Sequence, residues 1–548
     1  MSDQAQSTAP ARSHGALSSA VRTVSGMTFL SRLGGLVREV LMARVFGDNF
    51  LGSAFATAFA IPNMFRRLFG EGALSAAFLP EYAAADKADP AHAQRFASLT
   101  VGMLGVVTGL LTAAIEFVLL LILWLAPANA DRELSIRLIM IMLPFMPFIC
   151  IAAVLGGMLQ VHGRFGPPAS GPLVLNGFII AVGLWHVWHG TNGERETAYA
   201  LGAMTTLSGV TQAAWFMFVL RRYVRWSRVV TDARARAVRM LRKMVPVLIG
   251  LGTLQINSLV DQLVSMWPIW VGPTFFGQRY PLDKASAVIL AAGQRLYQFP
   301  LGVFGIAVAT AIFPMLSREA DEPEHFARTL RRGVRLSLFI GLPASLGVLL
   351  VRHDVMPLFF RFDDKGFSVE GVARSATVLL GYAPAIWAYS LNQLFGRAFY
   401  ARGDTTTPMQ VALAMVLLNF LLNWTLIWFW GLREAGLAWS TSISATAQCA
   451  VLAHLCRTRL GVAPFDRETV RAVGLITLAT FLMGLCVYAA LAVPAPGVTW
   501  RQHAVRLALA TGAGLVSYPI LSFLMRVHEL RWLLHRGEAA EARSPKKE

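Results

Sequence analysis

The sequence is poor in charged residues, which make up only 15% of its 548 positions. Soluble domains usually carry about 25%, so this balance argues against a soluble enzyme. Cysteine is also scarce, and the four cysteines lie in or at the ends of apolar runs without CxxC spacing. We therefore predict neither a disulfide framework nor a zinc site, and we expect the cysteines to be packing residues.

Enzyme motifs are missing as well. The chain has no GxxxxGK[ST] loop for ATP, no HExxH zinc motif, no paired carboxylates and no Ser/His constellation. His186 and His189 lie beside Trp185 and Trp188 near the end of an apolar run, which is typical of a membrane interface. The polar first 20 residues lack the apolar core of a secretory signal, so we expect a cytoplasmic tail. We predict a protein that is not an enzyme.

Long apolar runs fill most of the chain, which is 55% hydrophobic with a mean hydropathy of +0.54. Each run is long enough to cross about 30 Å of hydrocarbon as a helix, and none alternates like the strands of a membrane barrel. We predict an all-α integral membrane protein with about fourteen transmembrane helices. The spans are 22–46, 53–82, 96–127, 135–161, 169–190, 198–220, 244–270, 285–316, 330–351, 370–399, 408–430, 434–456, 470–493 and 503–526.

Positive charge is concentrated in two segments, 221–243 and 328–335. Both follow even-numbered spans, whereas loops after odd-numbered spans are short and of mixed charge. The positive-inside rule therefore predicts that both termini are cytoplasmic. Topology and contact with anionic membrane lipids account for the net charge of +18, so no nucleic acid is expected as a partner.

Two motifs occur twice at a spacing of about 235 residues. Segment 69–80 at the end of span two resembles 304–314 at the end of span eight, and 164–168 resembles 402–408. We predict two parallel six-helix repeat lobes and two extra C-terminal helices. The predicted divisions are a tail (1–21), an N-lobe (22–222), a basic cytoplasmic linker (223–243), a C-lobe (244–457), spans thirteen and fourteen (458–527) and a cytoplasmic tail (528–548).

Arginines lie inside several apolar runs, where each costs roughly 2.5 to 3.5 kcal/mol on insertion scales. Arg67 has Glu71 one helical turn further on, so a local ion pair accounts for it. Four others have no acidic residue three or four positions away: Arg32, Arg38, Arg66 and Arg295. Pairing between helices remains an alternative for all four, most of all for Arg38, which is followed by Glu39.

Arg32 and Arg38 are about 120° apart around an ideal helix. The pair Gly34-Gly35 between them can bend a helix, and our hypothesis is that a bend turns both arginines towards one wet cavity. Converging guanidinium groups suit a phosphate or pyrophosphate, because they grip it bidentately.

Five ordered segments resemble the signature of the MurJ (MviN) lipid II flippase family. They are 31–39 (SRLGGLVRE), 43–47 (ARVFG), 61–73 (IPNMFRRLFGEGA), 294–303 (QRLYQFPLGV) and 399–408 (FYARGDTTTP). The resemblance implies the fold of the multidrug/oligosaccharidyl-lipid/polysaccharide exporter superfamily, with two lobes around a cationic cavity. It implies Arg32, Arg38, Arg66 and Arg295 as substrate-binding residues. It also implies, as gate or supporting residues, Glu39, Ser53, Asn63, Arg67 and Glu71.

The substrate implied by this resemblance is lipid II, the undecaprenyl-pyrophosphate-linked precursor of peptidoglycan. We expect alternating access to move it from the inner to the outer leaflet of the cytoplasmic (inner) membrane, with the two extra helices forming a groove for its tail. A monomer that associates with the cell-wall synthesis machinery is expected. The alternatives are an exporter of another polyprenyl-linked oligosaccharide and a drug or ion antiporter of the same superfamily. A drug site favours acids and aromatics, which these arginines argue against.

Three positions depart from the family pattern. Ser53 stands where many members have Asp, which puts a gate relying on that carboxylate in doubt. Gln294 and Gln298 replace frequent acids on either side of Arg295, which leaves this arginine less neutralised.

Sodium is a candidate coupling ion. Asp261 is a lone carboxylate in span seven, Asn419 and Asn423 are one turn apart on span eleven, and Thr441 adds a hydroxyl from span twelve. Some family members bind sodium between the equivalent helices, so these four residues are a candidate site. Hydrogen bonding between helices is the alternative. Glu116 in span three has no family counterpart, and we expect it to pair inside the bundle.

Overall fold

Apolar helices account for most of the chain that the structure describes. The computed structural model describes residues 11–68, 74–190, 195–362, 365–492 and 499–534. In hydrocarbon every backbone N–H and C=O must be bonded internally, and a helix achieves this within one segment. Eight helices in these ranges are long and apolar enough to cross a membrane. The predicted all-α integral membrane fold is confirmed, while the count of fourteen spans stays a prediction.

The chain divides into two compact units, and the first extends to Gln255 and includes Ile269–Val271. Its interior is packed around large buried aromatic side chains such as Tyr82, Phe96 and Phe145. Helix α9, which follows a 3₁₀ turn at Thr231–Ala233, contributes residues to both units. The helices up to this point are α1 (Ala11–Phe46), α2 (Phe50–Phe65), α3 (Leu74–Ala88), α4 (Pro90–Leu125), α5 (Ala130–Met142), α6 (Phe145–Val161), α7 (Gly166–His189), α8 (Arg195–Leu220) and α9 (Arg234–Trp270).

The second unit contains the remaining helices and two short antiparallel hairpins. The hairpins pair β1 (Thr274–Phe275) with β2 (Gln278–Arg279) and β3 (Arg361–Phe362) with β4 (Lys365–Gly366). The helices are α10 (Ser286–Pro300), α11 (Ile306–Arg318), α12 (Pro323–Phe360), α13 (Val369–Tyr382), α14 (Ala385–Ala401), α15 (Thr406–Trp428), α16 (Arg433–Arg459), α17 (Arg467–Leu491), α18 (Trp500–Leu524) and α19 (His528–Leu534).

The same order of continuous and interrupted helices occurs in both halves. A π-helical turn at 66–68 follows α2, and another at Leu301–Gly305 joins α10 to α11. Helices α5 and α6 are separated at Pro144, and α13 and α14 are separated at Pro384, because proline cannot donate a helical hydrogen bond. The two halves therefore share one plan, as the sequence repeats predict, and the interruptions are part of it.

The start of α17 offers a test of stability outside the apolar spans. The Asp466 side chain accepts a hydrogen bond from Thr469 N at 2.8 Å and lies 3.0 Å from Arg331 Nη1. Burial raises the pKa of Asp466, but the hydrogen bond from Thr469 and the charge of Arg331 outweigh it, so the pKa lies below its usual value. The carboxylate therefore stabilises the fold at neutral pH, and this contribution is lost as the pH falls through the lowered pKa.

Asp466→Ala is expected to destabilise the protein by about 1 kcal/mol, the usual cost of losing an N-cap. Asp466→Asn should cost less, because its amide oxygen can still cap Thr469 N. Thermal unfolding of the purified protein at pH 7 compares the two variants. Equal midpoints for Asp466→Ala and the unchanged protein would show that the cap contributes nothing.

Candidate functional site

Arg38 on α1 is held by groups on three sides. Its Nη2 lies 2.6 Å from Glu39 Oε1, its Nη1 donates to Asn176 Oδ1 at 3.1 Å, and its guanidinium lies 4.8 Å from the Phe59 ring centroid. Only 11% of the side chain is exposed. The acid that pairs with Arg38 is the adjacent residue, a spacing of one position that a comparison of residues three or four positions apart does not cover.

Asn176, on α7, is a residue that the sequence analysis missed. It is buried, it accepts from Arg38, and its Nδ2 donates to Ser31 O at 3.1 Å. A Cβ at Gly34 would lie 3.3 Å from Asn176 Nδ2, so glycine allows this close approach of the two helices. One amide thereby fixes both the Arg38 side chain and the backbone of α1.

Arg32 lies on the same helix in a different environment. Its side chain is exposed, whereas Arg38 is largely covered. Helix α1 continues as an α-helix through Gly34 and Gly35. The hypothesis that both arginines face one cavity stays a prediction.

Arg66 lies where α2 gives way to the π-helical turn. Its Nε donates to Asn63 Oδ1 at 2.9 Å, and its backbone N–H bonds the carbonyls of Asn63 and Pro62. Pro62 cannot donate to the preceding turn, which weakens the helix at this point. Asn63, a predicted supporting residue, thus directly positions the Arg66 side chain.

Three more of the predicted gate or supporting residues lie on α2 or just after it, and the structure describes two of them. Ser53 is fully buried on α2, and Arg67 is partly buried next to Arg66. Glu71 lies outside the described residues, so its pairing with Arg67 stays a prediction.

Arg295 lies on α10, in the second unit, and is partly buried. Its neighbour Gln294 donates to the Tyr382 hydroxyl at 3.0 Å, and Tyr297 stacks on Tyr382 with 4.5 Å between ring centroids. Gln298 is partly buried as well. Gln294 therefore binds a neighbouring helix, and α10 is fixed against α13 on both sides of Arg295.

A buried polar cluster in the second unit contains the four predicted sodium ligands. Asn423 Nδ2 donates to Asp261 Oδ1 at 2.7 Å and to Asn419 Oδ1 at 3.1 Å. Asn419 Nδ2 lies 3.5 Å from Thr441 Oγ1. Asp261 is only 1% exposed. The structure thus brings together residues from α9, α15 and α16.

Ser440 completes this cluster and was also missed. Its hydroxyl donates to Asn423 Oδ1 and lies 3.3 Å from Asn419 Nδ2. The cluster holds oxygen atoms of a carboxylate, two amides and two hydroxyls, the type of ligand that hard cations prefer, and the Nδ2 atoms of Asn419 and Asn423 donate to neighbours within it. Within the described ranges no group of three or more His, Cys, Asp or Glu side chains could hold a metal.

Glu116 is partly buried on α4. Among the described residues it forms neither an ion pair nor a side-chain hydrogen bond, so the pairing we expected is not found there.

A family model and several sequence relatives match this chain to one family. The family described as lipid II flippase MurJ matches residues 42–504. A probable lipid II flippase MurJ of Vibrio cholerae is 32% identical over 92% of this chain and 95% of its own length. The corresponding protein of Rhizobium meliloti is 32% identical over 76% of each chain.

Solved structures show the same fold. A lipid II flippase MurJ in an inward closed conformation matches with a TM-score of 0.71 and 20% identity, covering 91% of this chain and 98% of that one. An inward-facing MATE family transporter of the MOP superfamily matches with a TM-score of 0.61 and 14% identity, covering 81% and 98%. At these identities the likeness shows the fold alone.

Proposed function

The chain belongs to the MurJ family of lipid II flippases, and we propose that it moves lipid II from the inner to the outer leaflet of the cytoplasmic membrane by alternating access. Lipid II is too polar at its head to cross hydrocarbon unaided, because its pyrophosphate is charged. The protein would bind that head in a polar cavity and release it on the other side. This is transport without covalent chemistry.

The observation that carries the proposal is that neutral amides hold arginines among apolar helices. Asn63 binds Arg66 Nε, and Asn176 binds Arg38 Nη1. The neutral amide of Asn63 orients the Arg66 guanidinium and adds no opposing charge of its own, and a guanidinium is a strong, often bidentate donor to a pyrophosphate. We propose Arg66 and Arg295 as the main binding residues and Arg32 as a further one.

Arg38 has a weaker role in this proposal. Glu39 neutralises it at 2.6 Å, so it contributes less net attraction for an anion. A substrate phosphate would compete with Glu39 for the same guanidinium.

We propose that the cluster around Asp261 binds a sodium ion that couples transport to the ion gradient. Asp261, Asn419, Asn423 and Thr441 would supply its oxygens, and Ser440 would add one more. A bound cation would offset the charge of the buried carboxylate. No cofactor besides this ion is proposed.

The proposed setting is the inner membrane, with both termini in the cytoplasm and the basic segments against anionic lipids. We propose a monomer that associates with the cell-wall synthesis machinery.

Depletion of the native protein tests the function. We expect lipid II in the outer leaflet to fall towards the detection limit while it accumulates in the inner leaflet, and a plasmid copy of the gene to restore it. Outer-leaflet lipid II is measured by its accessibility to an added enzyme or label. Unchanged outer-leaflet lipid II in cells with no other flippase would rule out the proposal.

A further inference from the structure

A network of charged side chains joins the starts of three helices in the second unit. Arg374 Nη1 lies 2.9 Å from Asp283 Oδ2, and its Nη2 binds Glu434 Oε1. Arg433 Nη2 lies 2.5 Å from Asp283 Oδ2, and the Ser286 hydroxyl donates to Glu434 Oε1 at 2.6 Å. We call these five residues the Arg374 network. It connects α10, α13 and α16.

Two features of the Arg374 network are energetically unfavourable in themselves, a buried carboxylate and a strained backbone, so its favourable contacts must offset them. Glu434 is only 2% exposed, and a buried carboxylate is tolerated only with good partners. Arg433 has a φ of 51°, in the left-handed region that non-glycine residues avoid. Burial raises the pKa of Asp283, but its bonds to Arg374 and Arg433 bring the pKa below its usual value.

The network anchors the helix that carries Arg295. Ser286 is the first residue of α10. Further along, a Cβ at Gly293 would lie 2.5 Å from the Val378 side chain on α13, so the two helices are in close contact before they reach the Gln294 and Tyr297 contacts with Tyr382. Beyond Pro300 the helix loosens into its π-helical turn. The segment bearing Arg295 is therefore fixed from its first residue.

The first half of the chain carries the same charges at the corresponding helix starts. They are Asp48 before α2, Arg137 on α5, and Arg195 and Glu196 on α8, the counterparts of Asp283, Arg374, Arg433 and Glu434. In the described residues, however, Arg137 is 58% exposed and its ion pair is with Glu133 on its own helix. Glu196, the counterpart of Glu434, is exposed. The charges are repeated in both halves, but Glu434 is buried against Arg374 whereas its counterpart Glu196 is exposed.

We propose that Arg374 and Glu434 are positioning residues, which act through α10 to hold the Arg295 guanidinium in place for the substrate pyrophosphate. The inference rests on the proposed function, since it assumes that Arg295 binds substrate. A side chain that packing and hydrogen bonds already hold on a fixed helix loses little conformational entropy when it binds a ligand. The corresponding charges in the first half serve as a natural control.

The test measures binding of a short-chain, water-soluble lipid II analogue that retains the pyrophosphate. Full-length protein in lipid nanodiscs is compared as Glu434→Gln and as the position-matched control Glu196→Gln, each with Arg295 intact and with Arg295→Ala. We expect Glu434→Gln to weaken binding about tenfold when Arg295 is present, since small displacements of a binding group are costly. In the Arg295→Ala background, Glu434→Gln should change binding less than about twofold. If Glu434 acts only by positioning Arg295, its replacement has no effect once Arg295 is gone, and the two substitutions are then not additive.

If Glu434→Gln does not fold, Arg374→Lys is the second variant. It keeps the charge but loses the planar fork of the guanidinium, so we expect it to weaken binding in the same Arg295-dependent way. Glu196→Gln should leave binding unchanged in both backgrounds. Equal losses with and without Arg295, or no loss with it, would overturn the inference while leaving the proposed function intact. If Arg295→Ala itself binds the analogue normally, the substrate role of Arg295 fails first, and the positioning role with it.

Discussion

Arg66→Ala and Arg295→Ala are each expected to abolish the rescue of cells depleted of the native protein. Truncating one partner of a desolvated charge pair costs about 2 to 5 kcal/mol, which is roughly 30- to 4,000-fold in affinity. The 2.9 Å hydrogen bond to Asn63 orients the Arg66 side chain, so Arg66→Ala removes a binding group that is already in position. Growth and outer-leaflet lipid II are measured together, with the amount of each variant in the membrane determined by immunoblot.

Two further variants separate a binding role from a structural one. Arg66→Lys keeps the charge but cannot form the bidentate fork, so we expect partial rescue. Arg137→Ala removes an arginine of the same unit that is 58% exposed, and we expect full rescue. Full rescue by both Arg66→Ala and Arg295→Ala, at normal abundance, would show that these arginines have no part in transport.

The helices were predictable from apolar length, but their interruptions were not. Residues 53–82 read as one span, yet the helix breaks into a π-helical turn at 66–68. Pro62 signals weakness there, but a proline inside an apolar run can also be absorbed by a kink. The corresponding turn at Leu301–Gly305 follows Pro300. The repeat of 69–80 at 304–314 marks the two places as equivalent, but a repeated motif carries no signal that the helix changes to a π-helical turn there.

The arginine environments show what a spacing test can and cannot find. Residues three or four positions apart share a helix face, so such a test finds local pairs of that kind and overlooks Glu39, next to Arg38. Asn176 lies 138 residues from Arg38 in the chain. Its role depends on how α7 packs against α1, which one sequence does not encode in any local pattern.

The polar cluster was easier to foresee because part of it is local. Asn419 and Asn423 are one helical turn apart, and their side chains do bond each other at 3.1 Å. Polar groups in an apolar span must find partners, which drew attention to Asp261 and Thr441. Ser440 was missed because serine is common in membrane helices and bonds its own backbone, so its sequence position carries little signal.

Replacing Asp261 is expected to have an effect as large as replacing the arginines, and to act through a different step. Asp261→Ala leaves Asn423 Nδ2 without the acceptor it now has at 2.7 Å, which costs about 1 to 3 kcal/mol of stability, and it removes the charge that would attract a cation. Asp261→Asn can still accept a hydrogen bond from Asn423, so we expect a folded protein that transports slowly and no longer responds to sodium.

Transport is measured in proteoliposomes, with and without replacement of sodium by choline. Because Asp261→Asn preserves the hydrogen bond and removes only the charge, its loss of sodium response would assign the effect to ion binding. Sodium-independent transport by the unchanged protein, together with normal transport by Asp261→Ala, would leave the cluster with a purely structural role.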